Sequence, residues 1–267
     1  MYHSITFGTV GTGTVGTYNS VPGVVTGKNT WDDWGLIPTA RPVVAPPSIK
    51  SQVIDLPGGN GYIDLTELLT GEIAYGSRQG SWSFISEPQN AEIFPWQSKY
   101  TAIMEYLHGK EYKVWLEDDP AFYYEGRLTV AGWQPGANWS QVAINYVLKP
   151  FKKERLRSYD DWLWDPFSFV DGIIRCYNGI TLGNSGTTYT LVIDVGQERL
   201  SPVIVLHGTT ETSTNPCQVE FGGTNYELTF GNNSVNEITL KGSGNTLKFK
   251  PRVSGLNVTI KFRGGWL

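Results

Sequence analysis

Between Leu107 and Val130 the chain changes its hydrophobic period, and the change limits the folds open to it. Gly109 follows an apolar run at helical spacing, the place where a left-handed C-cap belongs. Tyr112, Val114 and Leu116 then alternate with Lys113, Trp115 and Glu117, the period of a strand with one buried face. Asp118-Asp119-Pro120 breaks that run, because proline cannot donate to a ladder and aspartates favour turns. Phe122 to Val130 runs back, rich in aromatics. The pattern predicts a helix that feeds an antiparallel hairpin.

That helix is predicted over Pro95–Leu107. Trp96, Tyr100, Ile103 and Leu107 form one stripe, widened by Met104, and Pro95 suits the first turn. The stripe reads as core. Most of the remaining N-terminal segments read as extended: Tyr2–Phe7, Ser51–Leu56, Ser81–Ile85 and Trp139–Leu148. Pro38, Pro42, Pro46 and Pro47 stiffen a non-helical strap. Pro57-Gly58-Gly59-Asn60-Gly61 is a strong turn, and Tyr62–Leu69 predicts one helical turn with Asp64 as N-cap. These runs read either as a projecting hairpin or as an internal edge of a sandwich.

From Ile173 the pattern is uniform. Eight short runs (173–177, 188–195, 202–207, 217–221, 226–230, 235–240, 246–250 and 257–263) alternate with turn signals. The expected fold class is therefore mainly β: an N-terminal β-sandwich with one α-helix and a projecting hairpin, then a C-terminal β-sandwich of galectin-like or jelly-roll type. Trp162, Trp164 and Phe167, with Phe169, cluster before Gly172 and mark the expected junction, giving domains 1–170 and 171–267. Gly8–Gly27, nearly uncharged, reads as a mobile loop or as an arm that orders on a neighbour; folding should tolerate its replacement, since loop length costs little.

Composition excludes several classes. The net charge is −4, against the basic excess of a nucleic-acid surface, so tight DNA binding is not expected. Residues 171–267 hold 8 basic and 7 acidic side chains; the rest holds 13 and 18, so the acidic bias lies in the N-terminal part. Ten Trp and fourteen Tyr suit protein interfaces. Cys176 and Cys217 are too few for a disulfide framework or a zinc site and read as buried thiols. The start Met1-Tyr2-His3-Ser4 is unlike a secretory signal, and no apolar run spans a bilayer, so the chain is expected to be made in a cytoplasm without membrane insertion.

No catalytic constellation stands out. The motifs of serine hydrolases, zinc peptidases, phosphate-binding loops and dinucleotide folds are missing, and His3, His108 and His207 are scattered. Glu117, Asp118, Asp119 and Glu125 are the best candidates for carboxylate chemistry, but acidic residues at a tight turn are ordinary. No catalytic residue, metal site or cofactor is assigned. Lys152–Arg157 reads as a solvated basic run or a contact with an acidic neighbour.

Four segments, in order over roughly residues 28–170, carry a family resemblance. They are Thr30-Trp31-Asp32-Asp33-Trp34-Gly35-Leu36-Ile37-Pro38-Thr39-Ala40-Arg41-Pro42, then Ile63-Asp64-Leu65-Thr66-Glu67-Leu68-Leu69-Thr70-Gly71, then Leu107-His108-Gly109-Lys110 with Leu116-Glu117-Asp118-Asp119-Pro120 and Tyr123-Tyr124-Glu125-Gly126-Arg127, then Asp160-Asp161-Trp162-Leu163-Trp164-Asp165-Pro166-Phe167. Together they resemble the distal tail protein (Dit) of long-tailed phages (siphoviruses). The resemblance implies a structural protein at the virion tail tip, assembled in the host cytoplasm as a homohexameric ring hub. That hub would join the tail tube to the baseplate and let DNA pass. It implies partners in the major tail tube protein, a tail-associated or tail fibre protein, and other baseplate or receptor-binding proteins. It makes Trp31, Asp32, Trp34, Glu117, Asp118, Asp119 and Pro120 hub motifs. It makes Asp55, Tyr62, Asp64, Trp82 and Phe84 part of a belt that contacts the next subunit. The alternative function is a carbohydrate-binding module attaching to host cell-surface glycans, with Tyr189, Tyr226 or Trp266 stacking on sugar.

Overall fold

The computed structural model describes residues 3–8, 27–68, 71–86, 96–136, 139–160, 175–208 and 213–267. Gly8–Gly27, apart from its two ends, and the Trp162–Phe169 cluster lie outside these. The chain divides into two compact units. Leu267 apart, the first runs to Lys152 and the second from Lys153 to Trp266.

The first unit contains β1 (Ile5–Gly8), β2 (Lys28–Asn29), β3 (Leu36–Pro38), β4 (Val53–Asp55), β5 (Tyr62–Asp64), β6 (Arg78–Ser86), α1 (Trp96–Leu107), β7 (Glu111–Leu116), β8 (Phe122–Gln134) and β9 (Ser140–Leu148). Seven strands form one antiparallel sheet in the order β3-β6-β9-β8-β7-β1-β2. Alternation decides which faces are buried: Tyr112, Val114 and Leu116 point into the core with Leu128, Val130, Ile144 and Leu148 from neighbouring strands. Helix α1 closes that core with Ile103 and Leu107, and Trp96, Tyr100 and Met104 pack against it. Gly109 ends the helix at φ 74°, a conformation any side chain would strain, and its N–H is taken by Leu128 O at 2.8 Å.

The proline strap after β3 is held by side chains. Trp82 Nε1 donates to Val43 O at 2.9 Å, Arg78 Nη1 donates to Ala45 O at 3.0 Å, and Ala45 N donates to Tyr146 Oη at 3.0 Å. Pro38 is tolerated because β3 lies at the sheet's edge, paired only with β6. One expectation holds only in part. Tyr62–Asp64 is a strand, because it pairs with Val53–Asp55, and the turn begins only at Thr66. Asp64 does cap that turn, its Oδ1 accepting from Thr66 N at 2.8 Å.

A short strand, β10 (Lys152–Glu154), carries the chain from the first unit into the second. The second unit goes on with β11 (Ile180–Thr181), β12 (Tyr189–Ile193), β13 (Gly196–Leu200), β14 (Val203–Gly208), β15 (Cys217–Phe221), β16 (Thr224–Leu228), β17 (Gly231–Ser234), β18 (Leu240–Gly242), β19 (Asn245–Pro251), β20 (Leu256–Lys261) and β21 (Gly265–Trp266). Two four-stranded sheets, β11-β20-β14-β17 and β12-β19-β15-β16, enclose a core that includes Ile193, Leu206, Val219, Leu247, Phe249 and Val258. Gly222 and Gly223, at φ 59° and 84°, make the two-residue hairpin between β15 and β16, where both central residues need positive φ. Neither cysteine forms a disulfide. Cys217 is buried as expected, and burial pushes its thiol up to about 11; Cys176 is exposed, contrary to expectation.

Candidate functional site

The most unusual feature of the first unit is the arm made by β4 and β5. These strands pair only with each other: Val53 with Asp64, Ile54 with Ile63, Asp55 with Tyr62. The proline-glycine turn closes the tip, where Gly59 N donates to Leu56 O at 3.1 Å. At the root, Lys50 N donates to Ala74 O at 2.9 Å and Gly76 N to Ser48 O at 2.7 Å. Beyond the root all six strand residues are exposed. Tyr62 is 64% and Leu68 73% exposed, and Val53, Ile54, Leu56 and Ile63 stand out beside them. A lone two-stranded hairpin is marginal in water, and both of its edges offer unpaired backbone groups. Covering each of these side chains would contribute on the order of 1 kcal/mol. Nothing among the described residues of the chain provides that cover.

The arm is also acidic without a compensating cation. Asp55, Asp64, Glu67 and Glu72 lie in residues 51–73, which contain no Lys or Arg. Removing these four from the 25 acidic residues leaves 21, matched by 21 Lys and Arg elsewhere. The arm thus carries the whole formal net charge of −4. Hydrogen bonds from the Thr66 hydroxyl and backbone N–H hold the Asp64 carboxyl below its ordinary range.

Asp55, Tyr62 and Asp64, three of the five belt candidates, lie on this arm. Trp82 and Phe84 do not. Both sit in the core, 4% and 0% exposed, because β6 pairs along its length with β9 and turns them inward. Trp82 packs on Tyr146 with ring centroids 4.2 Å apart. The apolar arm residues Val53, Ile54, Leu56, Ile63 and Leu68 are not among the belt candidates, since their runs read equally as a projecting hairpin or as an internal edge of a sandwich. Their only signal was that apolar residues fall on both faces of a short hairpin.

The turn carboxylates act as a clasp. Glu117 Oε2 accepts from Ser4 N at 2.7 Å. Asp118 faces His3 Nδ1 at 2.8 Å and accepts from Arg41 Nε at 2.9 Å. Burial works against ionised Asp118, but Arg41 and His3 outweigh it and hold the carboxyl below the usual range. Asp119 takes Lys152 Nζ at 2.7 Å, and Glu125 takes Lys149 Nζ at 2.8 Å. The cluster therefore ties the first strand and the strap to the β7–β8 turn, with Pro120 exposed beside it. Lys153 pairs with Glu198 and Arg157 with Asp160, so the basic run finds acidic partners within the chain.

The tryptophan motif is a second structural knot. Asn29 Oδ1 accepts from Trp31 N at 2.8 Å and Asp32 N at 3.2 Å, while Asp33 Oδ2 accepts from Asn29 N at 2.7 Å. This reciprocal capping turns the chain so that Trp34 enters the core against Phe7 and Tyr106, with centroids 6.1 and 5.7 Å away. Trp31 stays partly exposed and Asp32 exposed.

In the second unit the three sugar-stacking candidates are engaged. Tyr189 and Tyr226 pack against the core, and Trp266 Nε1 donates to Glu154 Oε1 at 2.8 Å. The outer face of β15 and β19 carries a charge ladder instead. Hydrogen bonds from Lys248 and Lys250, at 2.9 and 2.6 Å, hold the half-buried Glu220 carboxyl at about 2, against an ordinary 4.5. Its contribution to stability is present above the unfolded value near 4.5 and is lost as pH falls toward about 2. A carboxyl-selective NMR titration should show a Glu220 midpoint close to 2. A midpoint near 4.5 would mean the two lysines do not hold it in solution.

No family model matches the sequence, and no curated protein does so. Among solved structures, the chain is similar to the SPP1 Dit protein, a paradigm of hub adsorption apparatus in phages that infect Gram-positive bacteria. The TM-score is 0.57 over 87% of this chain and 94% of that one, at 15% identity. The architecture, mainly β with one helix and a projecting hairpin, is a Dit-like fold.

Proposed function

We propose that this chain is a non-enzymatic structural subunit of a phage tail tip. Copies assemble into a ring, a hexamer, that joins the end of the tail tube to the adsorption apparatus. Its partners are the tube protein, a tail-associated or fibre protein, and the receptor-binding proteins of the baseplate. DNA passes through the ring, and a chain that is neutral outside its arm offers phosphates little to hold.

One observation carries this reading. A Dit-like fold exposes an apolar, acidic two-stranded arm that the described residues of its own chain leave uncovered. Such an arm gains its stability from a neighbour, and a neighbouring copy is always at hand in a ring.

The test is assembly of the purified full chain and of a variant with residues 51–73 replaced by a short Gly/Ser linker. The wild type is expected to sediment as a discrete oligomer with six-fold rings in negative stain. The armless variant is expected to remain folded and monomeric. A wild-type monomer at tens of micromolar, or intact rings without the arm, would overturn the reading.

A further inference from the structure

The arm of one copy needs a seat on the next, and the structure offers one. A shallow cavity of about 420 Å³ opens beside the arm's own root. Its floor includes Tyr75 and Val147, the latter 49% exposed, and its rim carries Lys50, Arg127, Lys149 and Glu111. Glu125 pairs with Lys149 from the side, so three cations stand against two carboxylates. All three cations are exposed. The arm is the converse: apolar side chains with four carboxylates and no cation.

We infer that this cavity receives the arm of an adjacent copy, with the carboxylates of the arm, Asp55 and Glu67 among them, meeting the cationic rim. The inference rests on the ring assembly proposed above and assigns the surface that closes it. A tip placed on a neighbour's root is a head-to-tail contact. Each copy gives one arm and takes one, so the contact repeats until rotation closes the ring. Apolar side chains from both faces of the arm are shared between floor and neighbour, while charge sets the register. The rim pairs lie near the surface, so assembly weakens with salt.

Two charge-reversed variants test this in the full chain. The arm variant is Asp55→Lys/Glu67→Lys; the seat variant is Arg127→Glu/Lys149→Glu. Asp55 and Glu67 are exposed, so the arm variant should melt like the wild type. The seat variant gives up the Lys149 pair with Glu125 and the Arg127 bond to Gly109 O, and places new carboxylates beside Glu111 and Glu125. Its melting point is expected to fall and is measured first. Each alone should need on the order of 100-fold more protein to assemble, since like charges across an interface cost several kcal/mol. An equimolar mixture should assemble at nearly the wild-type concentration. Reversed arms then meet reversed seats, wild-type arms meet wild-type seats, and the two alternate around an even-membered ring. If either variant misfolds, the neutral pair Asp55→Asn/Glu67→Gln and Arg127→Gln/Lys149→Gln replaces it, and loss of salt dependence becomes the readout. Normal assembly of the seat variant beside a monomeric armless chain would overturn the seat and leave the ring intact. Failure of the wild type to assemble would overturn both.

Discussion

Replacing Glu154 with Ala is expected to destabilise the second unit by about 3–5 kcal/mol, the usual loss when one partner of a buried ion pair is removed. Glu154 is 4% exposed. Its Oε2 takes a hydrogen bond from Arg175 Nη2 and one from Gly264 N at 3.2 Å; Oε1 takes Trp266 Nε1 at 2.8 Å. Its backbone N–H donates to Gly264 O at 3.1 Å. A single carboxylate thus holds the last strand against the start of the unit. Arg175 cannot move away easily, because its Nη1 is committed to Asp194 O at 2.7 Å and its guanidinium lies 4.9 Å from the Phe262 ring. Burial already depresses this guanidinium below its ordinary range. Without Glu154 it would be a covered, uncompensated cation beside two orphaned N–H donors. Urea or thermal unfolding followed in the second unit should show the loss, with a melting point lower by well over 10 °C for a domain of this size. The double variant Glu154→Leu/Arg175→Met should recover much of it, since the cost lies in the abandoned charge. A loss below about 1 kcal/mol for Glu154→Ala would mean that the pair is solvated and weak.

Much of this architecture is legible in the sequence because it is local. The stripe from Trp96 to Leu107 and the glycine after it specify the helix and its end. Alternation at Tyr112, Val114 and Leu116 specifies the buried face of β7. What is not legible depends on partners far away in sequence. Trp82 and Phe84 look as suited to an interface as Tyr62 does. Only pairing with Ile144 and Val142 of β9 makes them core. Glu117 and Asp118 look like a loose acidic turn until Ser4, His3 and Arg41 close on them. The arm is the opposite case. Its turn is evident from Pro57 to Gly61, yet the runs holding Ile54 and Ile63 read equally as a projecting hairpin or as an internal edge, because apolar residues do not announce whether their own chain covers them.

A fragment of residues 153–267 is expected to fold, while one of residues 171–267 is expected to be largely unfolded. The sequence places a junction at 170, near Trp162, Trp164 and Phe167; the proposal here is that the folding unit begins at Lys153. The reason lies in residues 154–160, a strip that completes the second unit's hydrogen bonding. Ser158 is fully buried. Its N–H donates to Phe262 O at 3.1 Å, its hydroxyl donates to Ile260 O at 2.7 Å and accepts from Phe262 N at 2.8 Å, and its carbonyl accepts from Tyr177 N at 2.8 Å. Asp160 turns the chain by accepting from Arg157 N at 2.8 Å. Cutting at 170 removes all of these together with Glu154. It leaves Arg175, Gly264, Trp266, Tyr177 and Phe262 with unanswered polar groups at the end of the sandwich. Each buried orphan costs about 1–3 kcal/mol. Three or four of them match the whole stability of a typical domain, about 5–15 kcal/mol. Circular dichroism and cooperative thermal unfolding of the two fragments decide the matter. A β-rich spectrum with a sharp transition is expected only for the longer one. Equal melting points would show that the strip is dispensable and that the folding unit begins at the aromatic junction.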